Sequence, residues 1–297
     1  MRIFITGATG YIGGSVAVYL KSVGHEILGL ARSAEKGDKL RRLGIEPLVG
    51  SLDDGALLAH AAKSTDATIN AADADHRSAV ETLIAALAGS GKALIHTSGS
   101  SIVGDDAQGE YASDLVFADD APYVPMPHRV HRIENDNLVR IAGVMKGIRT
   151  AVICPTTVYG DGLGPQVDSD QVPKITVKSL QRGAGVYIGK GANIWSNVFI
   201  DDLASLYGLV LEKAPSGSFY FAENGEATLK DVAEAVSYSL GFGGRIESWD
   251  LDEATAELGA WPRIALGTNC RVRSTNARRV LGWTPSGPSL PVALGGR

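Results

Sequence analysis

Between Pro125 and Asn137 the chain reads PMPHRVHRIENDN, and within it His128 and Arg132 stand four residues apart. On a helix, residues at that spacing share a face. The pair would set a proton donor of near-neutral pKa beside a fixed cation rich in hydrogen-bond donors. A second cluster is Ser98-Gly99-Ser100-Ser101, where hydroxyls end the apolar run KALIHT. A third is Gly7-Ala8-Thr9-Gly10-Tyr11-Ile12-Gly13, whose glycines let bare backbone approach a phosphate. No metal site is expected, because His131 and Glu134 have no evident third ligand. The two cysteines, Cys154 and Cys270, fall outside any metal-type spacing and read as buried thiols.

The elements that must position these residues follow from the hydrophobic pattern. Ile3, Phe4 and Ile5 form an apolar run typical of a strand buried on both faces. Ile12, Val16 and Leu20 then lie at helical spacing, and HEILGLA is a second strand. The glycine turn therefore sits between an N-terminal strand and a helix, where helix N–H groups can bind a pyrophosphate. The end of the second strand should read the adenosine ribose. It holds Arg32 and Ser33 and no acid, which favours the 2′-phosphate of NADP(H), with NAD(H) the less favoured alternative. The alternation continues. IEPLVGSLDD is a strand ending at Asp53, and DATINAAD a strand running to Ala71 and Ala72. KALIHTSGSS is a strand ending at the serines, and RTAVICPTTVYG a strand passing through Pro155. Helical segments lie between them. The expected fold is α/β, a Rossmann-type doubly wound parallel sheet with a smaller C-terminal substrate-binding lobe. The first domain spans 1–160, with 196–222 returning to it, and the lobe spans 161–297. Ligands should sit at the carboxyl ends of the strands.

Bulk properties narrow the class. The chain has 297 residues, a net charge of −5 and interspersed charges. Without a basic block it has no electrostatic footprint for nucleic acid. No long apolar run marks a signal peptide or a membrane span, so a cytoplasmic location is expected. The expected partner is a small-molecule substrate, with the protein a monomer or homodimer.

Several segments together resemble the extended short-chain dehydrogenase/reductases, in their epimerase/dehydratase-like branch. They are TGATGYIGG, SLDD, NAAD, IHTSGSS, CPTTVYGDG, SNVFIDDLASLY and RVRSTNARRVLGWTP, in that order along the chain. The resemblance implies a nicotinamide cofactor held by Gly7, Thr9, Gly10, Tyr11, Ile12, Gly13, Asp53, Ala71, Ala72, Ser98 and Pro155. It also implies a serine on the fifth-strand loop that polarises a carbonyl. Ser100 is favoured for that role, with Ser98 contacting the cofactor or sharing the task.

The family's Tyr-x-x-x-Lys pair is missing. His128 as general acid and Arg132 as ribose anchor are one replacement. The alternatives are a merely solvated helix start, or His131 or Tyr123 acting instead. Sugar-nucleotide members often carry an arginine where this chain has Trp195, which suggests a small, non-nucleotide-sugar carbonyl substrate. Tyr123 and Tyr159 join Ser100 and Trp195 as candidate substrate contacts. The loop from Asp161 to Lys174 is long enough for a lid, and Arg271 and Arg273 either line the substrate side or form ion pairs. The leading expectation is an NADP(H)-dependent oxidoreductase. An epimerase or dehydratase that retains its cofactor is the second, and a catalytically silent NADP-binding sensor the third.

Overall fold

The computed structural model describes residues 1–295. Its first part alternates strand and helix: β1 (Arg2–Thr6), α1 (Tyr11–Ser22), β2 (Glu26–Ala31), α2 (Ala34–Arg42), β3 (Glu46–Val49), α3 (Gly55–Ser64), β4 (Ala67–Asn70), α4 (Arg77–Leu87) and β5 (Ala93–Thr97). After the short β6 (Phe117–Ala118) come α5 (Val130–Met145), β7 (Arg149–Pro155), β8 (Thr157–Tyr159), α6 (Gln171–Arg182), β9 (Gly185–Ile188), β10 (Ile194–Phe199) and α7 (Ile200–Lys213). The remainder comprises β11 (Ser218–Ala222), β12 (Glu226–Thr228), α8 (Leu229–Ser239), β13 (Ile246–Trp249), α9 (Leu251–Leu258), β14 (Val272–Arg273), α10 (Thr275–Leu281) and α11 (Leu290–Ala293).

Seven strands form one sheet in the order β11-β7-β5-β4-β1-β2-β3, with every neighbouring pair parallel. Such a sheet is covered by helices on both faces, which is why its strands read as unbroken apolar runs. Ile3, Phe4 and Ile5 are all fully buried, Ile3 and Ile5 in one core layer and Phe4 in the other. The strand order reverses between β1 and β4, and ligands in doubly wound sheets settle in the crevice at that point. The parallel register sets Thr6 opposite Asn70, and Asn70 opposite His96. Three polar side chains thus lie in one row across β1, β4 and β5.

The second lobe is built from shorter pieces: sheets β12-β10-β8 and β13-β9, around a core that includes Tyr159, Trp195 and Trp249. The chain re-enters the first lobe at α7, whose Gly208 approaches the Tyr19 ring of α1 so closely that a Cβ would come within 3.0 Å of it. Strand β11 then completes the large sheet. The return begins after β10, because that strand pairs with β8 and β12. Among the described residues, no helix is long and apolar enough to cross a membrane.

Candidate active site

Two cavities lie end to end along the carboxyl edge of the large sheet. The glycine loop contributes to both, Gly7, Thr9 and Gly10 to the first and Tyr11 and Ile12 to the second. Gly7 has φ +73°, and a Cβ there would lie 2.5 Å from the Ala71 carbonyl oxygen. A Cβ on Gly13 would lie 2.4 Å from the Gly7 oxygen. Gly7 therefore permits the turn, while Gly13 lets α1 press against it rather than lining the cavity. Gly10 caps α1 with no side-chain hydrogen bond, and the first turn carries no acid. Its N–H groups stay available for an anion.

The first cavity is also lined by Arg32, Lys36, Asp53, Ala71, Ala72 and Gln166. Ser33 does not line it. Its hydroxyl caps α2 by accepting the Lys36 N–H, a role its position one residue before the helix dictates. Asp53 accepts a hydrogen bond from His76 Nε2 at 3.1 Å. His76 Nδ1 accepts the Ala79 N–H at the start of α4, so the ring proton sits on Nε2. Lys36 and His76 escaped the sequence reading. The spacing of Lys36, four residues past Arg32, was a usable signal once α2 is known to begin at Ala34.

The second cavity brings together Ser98, Ser100, Ser101, Arg129, Arg132, Pro155, Gln171 and Trp261. Arg132 is clamped by Asp75, with Nε to Oδ1 2.9 Å and Nη2 to Oδ2 2.5 Å, and its Nη1 reaches Ser101 Oγ at 3.3 Å. The Arg132 hydrogen bond holds the Asp75 carboxyl below its usual range. Cys270 Sγ lies 3.2 Å from Ser100 Oγ and 3.3 Å from the Ser100 carbonyl oxygen. Both cysteines are free thiols.

Beneath Ser98 lies a buried acid. Ser98 Oγ is 2.7 Å from Asp136 Oδ2. Burial raises the Asp136 carboxyl to about 7, against the pull of Ser98, Arg132 and Arg140. The folded pKa lies above the unfolded one, so the neutral acid favours the fold. That contribution is complete below the ordinary value of 3.8 and is lost as pH rises to about 7. Wild type should therefore lose on the order of 2–4 kcal/mol relative to Asp136→Asn across that window. Calorimetric Tm values taken against pH check this, and a pH-independent difference would contradict it.

Besides Ser33 and Gly13, four expected site residues lie outside both cavities. His128 is exposed and outside the cavity lining. Residues Pro127–Arg129 form a separate 3-10 turn ahead of α5, so His128 and Arg132 do not share a regular helical face, and Arg129 lines the cavity instead. Tyr123 packs among Phe117, Phe219 and Phe221, with ring centroids 6.0–6.4 Å away. Tyr159 is 1% exposed and donates its hydroxyl to the Pro288 carbonyl. Trp195 is 3% exposed, and its Nε1 donates to the Ala265 carbonyl. These rings serve cores, and Trp261 supplies the aromatic wall. Arg271 and Arg273 both pair with Glu226.

The segment from Asp161 to Lys174 is divided. Leu163 N–H donates to Ser15 Oγ on α1, Gly164 abuts Gly14, and α6 begins at Gln171. Gln166 reaches the first cavity, while Ser169, Asp170 and Gln171 reach the second. The segment is thus a strap laid across the helix start.

A reversed-order parallel sheet with a glycine loop at its switch point defines a dinucleotide-binding Rossmann protein. The sequence profile of the NAD dependent epimerase/dehydratase family matches residues 3–220. An oxidase of an Acremonium species is 36% identical over 330 residues, spanning 97% of this chain and 94% of that protein. A 2-alkyl-3-oxoalkanoate reductase of Stenotrophomonas maltophilia is 26% identical over 247 residues, spanning 76% and 71%. In fold, the chain resembles the dTDP-glucose 4,6-dehydratase of Bacillus anthracis, solved in complex with NAD. The TM-score is 0.78 at 18% identity, over 99% of this chain and 96% of that one. The chain belongs to the NAD-dependent epimerase/dehydratase family, within the extended short-chain dehydrogenase/reductases, and is an NAD(P)-dependent oxidoreductase of that type.

Proposed function

We propose that this oxidoreductase uses NADP(H) and acts on a small carbonyl compound outside the nucleotide sugars. The observation that carries the cofactor choice is that Arg32 and Lys36 both line the adenosine end, while the end of β2 carries no acid to bind a free 2′-hydroxyl. A 2′-phosphate would meet two cations there. The glycine loop and the α1 N-terminus would hold the pyrophosphate, Asp53 the adenosine side, and Arg132 with Pro155 the nicotinamide side. When bound, such a cofactor supplies hydride transfer to or from carbon. Ser100, which lines this cavity, would polarise the substrate carbonyl. The apolar wall of Ile12, Val158, Trp261 and Ala265 suits a compact organic substrate.

One observation favours a second reading, in which the cofactor is retained and the substrate transiently oxidised. Arg129 lines this end with its buried Nε unpaired, and its guanidinium would pair with a phosphate-bearing substrate of the kind such enzymes take.

Cofactor affinity tests the first reading. Wild type should bind NADPH at least about tenfold more tightly than NADH. Arg32→Ala should weaken NADPH by roughly 10–100-fold, the loss of a charge-assisted contact, with little change for NADH. Calorimetric titration reads both, and tighter binding of NADH to wild type would overturn the assignment.

A further inference from the structure

A carbonyl that accepts hydride must also accept a proton, and the residues lining the substrate end narrow its source. Tyr11 spends its hydroxyl on the Gly160 carbonyl at 2.7 Å, and burial raises its pKa further. Asp170 is paired with Lys174 at 2.8 Å. The guanidinium groups of Arg129 and Arg132 do not give up protons near neutral pH. The serine hydroxyls remain, and Ser98 is the one backed by a buried acid.

We propose that Ser98 delivers the proton to substrate and that Asp136 is the positioning residue behind it, holding the proton and reloading the serine. The proposal rests on the carbonyl reading above.

The geometry fixes every direction in the row. Thr6 Oγ1 accepts the Ala71 N–H at 3.1 Å and donates to Asn70 Oδ1 at 2.6 Å. The amide nitrogen of Asn70 therefore faces His96 Nδ1, at 3.1 Å. An amide nitrogen only donates, so His96 Nδ1 accepts and the ring proton sits on Nε2. That nitrogen lies 3.6 Å from Asp136 Oδ1, and neither atom has another hydrogen-bond partner. Burial lowers the His96 pKa to about 4, so the ring stays neutral. Thr6, Asn70, His96 and Asp136 are all at most 2% exposed, and Ser98 stands at the open end. The in-register strands β1, β4 and β5 thus present an aligned polar row to α5, and its last acid is in contact with a cleft hydroxyl.

The state of Asp136 decides where the Ser98 hydrogen points. When Asp136 carries a proton, its O–H donates to Ser98 Oγ, and the serine hydrogen is free for the cleft. When it is ionised, the serine turns its hydrogen back. Arg132 and Arg140 favour the ionised form, while Asp75 and burial favour the neutral one. Cys154, also beside Asp136, and His96 are both neutral.

In the reductive direction the carbonyl carbon gains hydride, two electrons from the reduced nicotinamide. Its oxygen forms a bond to the Ser98 hydrogen as the serine O–H breaks. The Asp136 O–H then breaks and the serine O–H re-forms, leaving a carboxylate that regains a proton from solvent in the cleft by way of the Ser98 hydroxyl. Oxidation of an alcohol runs in reverse.

The test begins with cofactor-free protein. Isotope-edited infrared spectroscopy should show one carboxyl titrating near neutral pH, absent in Asp136→Asn and displaced in Ser98→Ala. In turnover with NADPH and an accepted carbonyl, both variants should lose about 100-fold in kcat, with their NADPH Kd within about twofold of wild type. The fall of wild-type kcat as pH rises through that titration should be missing in Asp136→Asn, and Asp136→Glu should recover part of the rate with a shifted profile. An Asp136 that is ionised from pH 5 upward, or variants with wild-type kcat and pH profile, would overturn the relay. Should wild type itself reduce no carbonyl, the carbonyl reading fails and proton delivery to substrate fails with it, while the cofactor-free titration still reports whether Asp136 and Ser98 share a proton.

Discussion

Gly7→Ala is expected to cost the chain its dinucleotide affinity together with several kcal/mol of stability. The residue sits at φ +73°, in the left-handed region, and its added Cβ would stand 2.5 Å from the Ala71 oxygen and 2.8 Å from the Ala72 nitrogen. Those are backbone atoms just past β4, whose ladder with β1 runs to Asn70 and whose Ala71 N–H is held by Thr6 Oγ1, so no flexible side chain can give way. The backbone conformation costs about 1–2 kcal/mol for alanine, and the overlap adds about 1–3 kcal/mol. Relief requires the turn to move, and the turn aims the N–H groups of α1. The NADPH Kd should rise at least about 100-fold, roughly 2.7 kcal/mol. Urea unfolding and calorimetric titration measure the two losses. An alanine variant with wild-type affinity would contradict the role given to the turn.

Asp202→Ala should be nearly as damaging, for a different reason. Asp202 stands in the first turn of α7, where a carboxylate complements the helix dipole. Its Oδ1 accepts the Ser286 N–H at 2.9 Å, and its Oδ2 accepts the Gly287 N–H at 2.8 Å and the Asn224 amide at 3.0 Å. Its backbone oxygen accepts Trp283 Nε1. One buried carboxylate therefore ties the C-terminal segment to α7. Removing it leaves two backbone donors without an acceptor and the Asn224 amide with only the Gly287 carbonyl at 3.4 Å, about 3–5 kcal/mol. Asp202→Asn keeps the volume but turns an NH2 toward those donors, and should lose most of the same stability. Urea denaturation resolves this; a loss below about 1 kcal/mol for both variants would show that the segment is held by packing alone.

The large sheet was legible because its inner strands, such as β1, β4 and β5, are buried along almost their whole length and so read as apolar runs. The glycine loop was legible because it falls between such a strand and a helix. The substrate end was not. The His128–Arg132 pairing assumed one continuous helix, and the 3-10 turn beginning at Pro127 breaks it. Trp195 and Tyr159 lie on strands that have a cleft side and a core side, and spacing alone does not say which side a ring takes. Asp136 was invisible as a partner of Ser98 because the contact spans 38 positions and depends on how α5 seats against β5. The Thr6–Asn70–His96 row required the strand order, which places β4 between β1 and β5. Arg129 was within reach, one residue beyond His128.

The most direct measurement of the central claim is oxidation of NADPH and NADH by the wild-type protein, followed at 340 nm across a panel of small aldehydes and ketones, with a sugar nucleotide run in parallel. The expected result is net consumption of NADPH by members of the panel, with kcat/KM at least about tenfold above that for NADH. Preference for NADH, or conversion of the sugar nucleotide with no net change in cofactor, would contradict it.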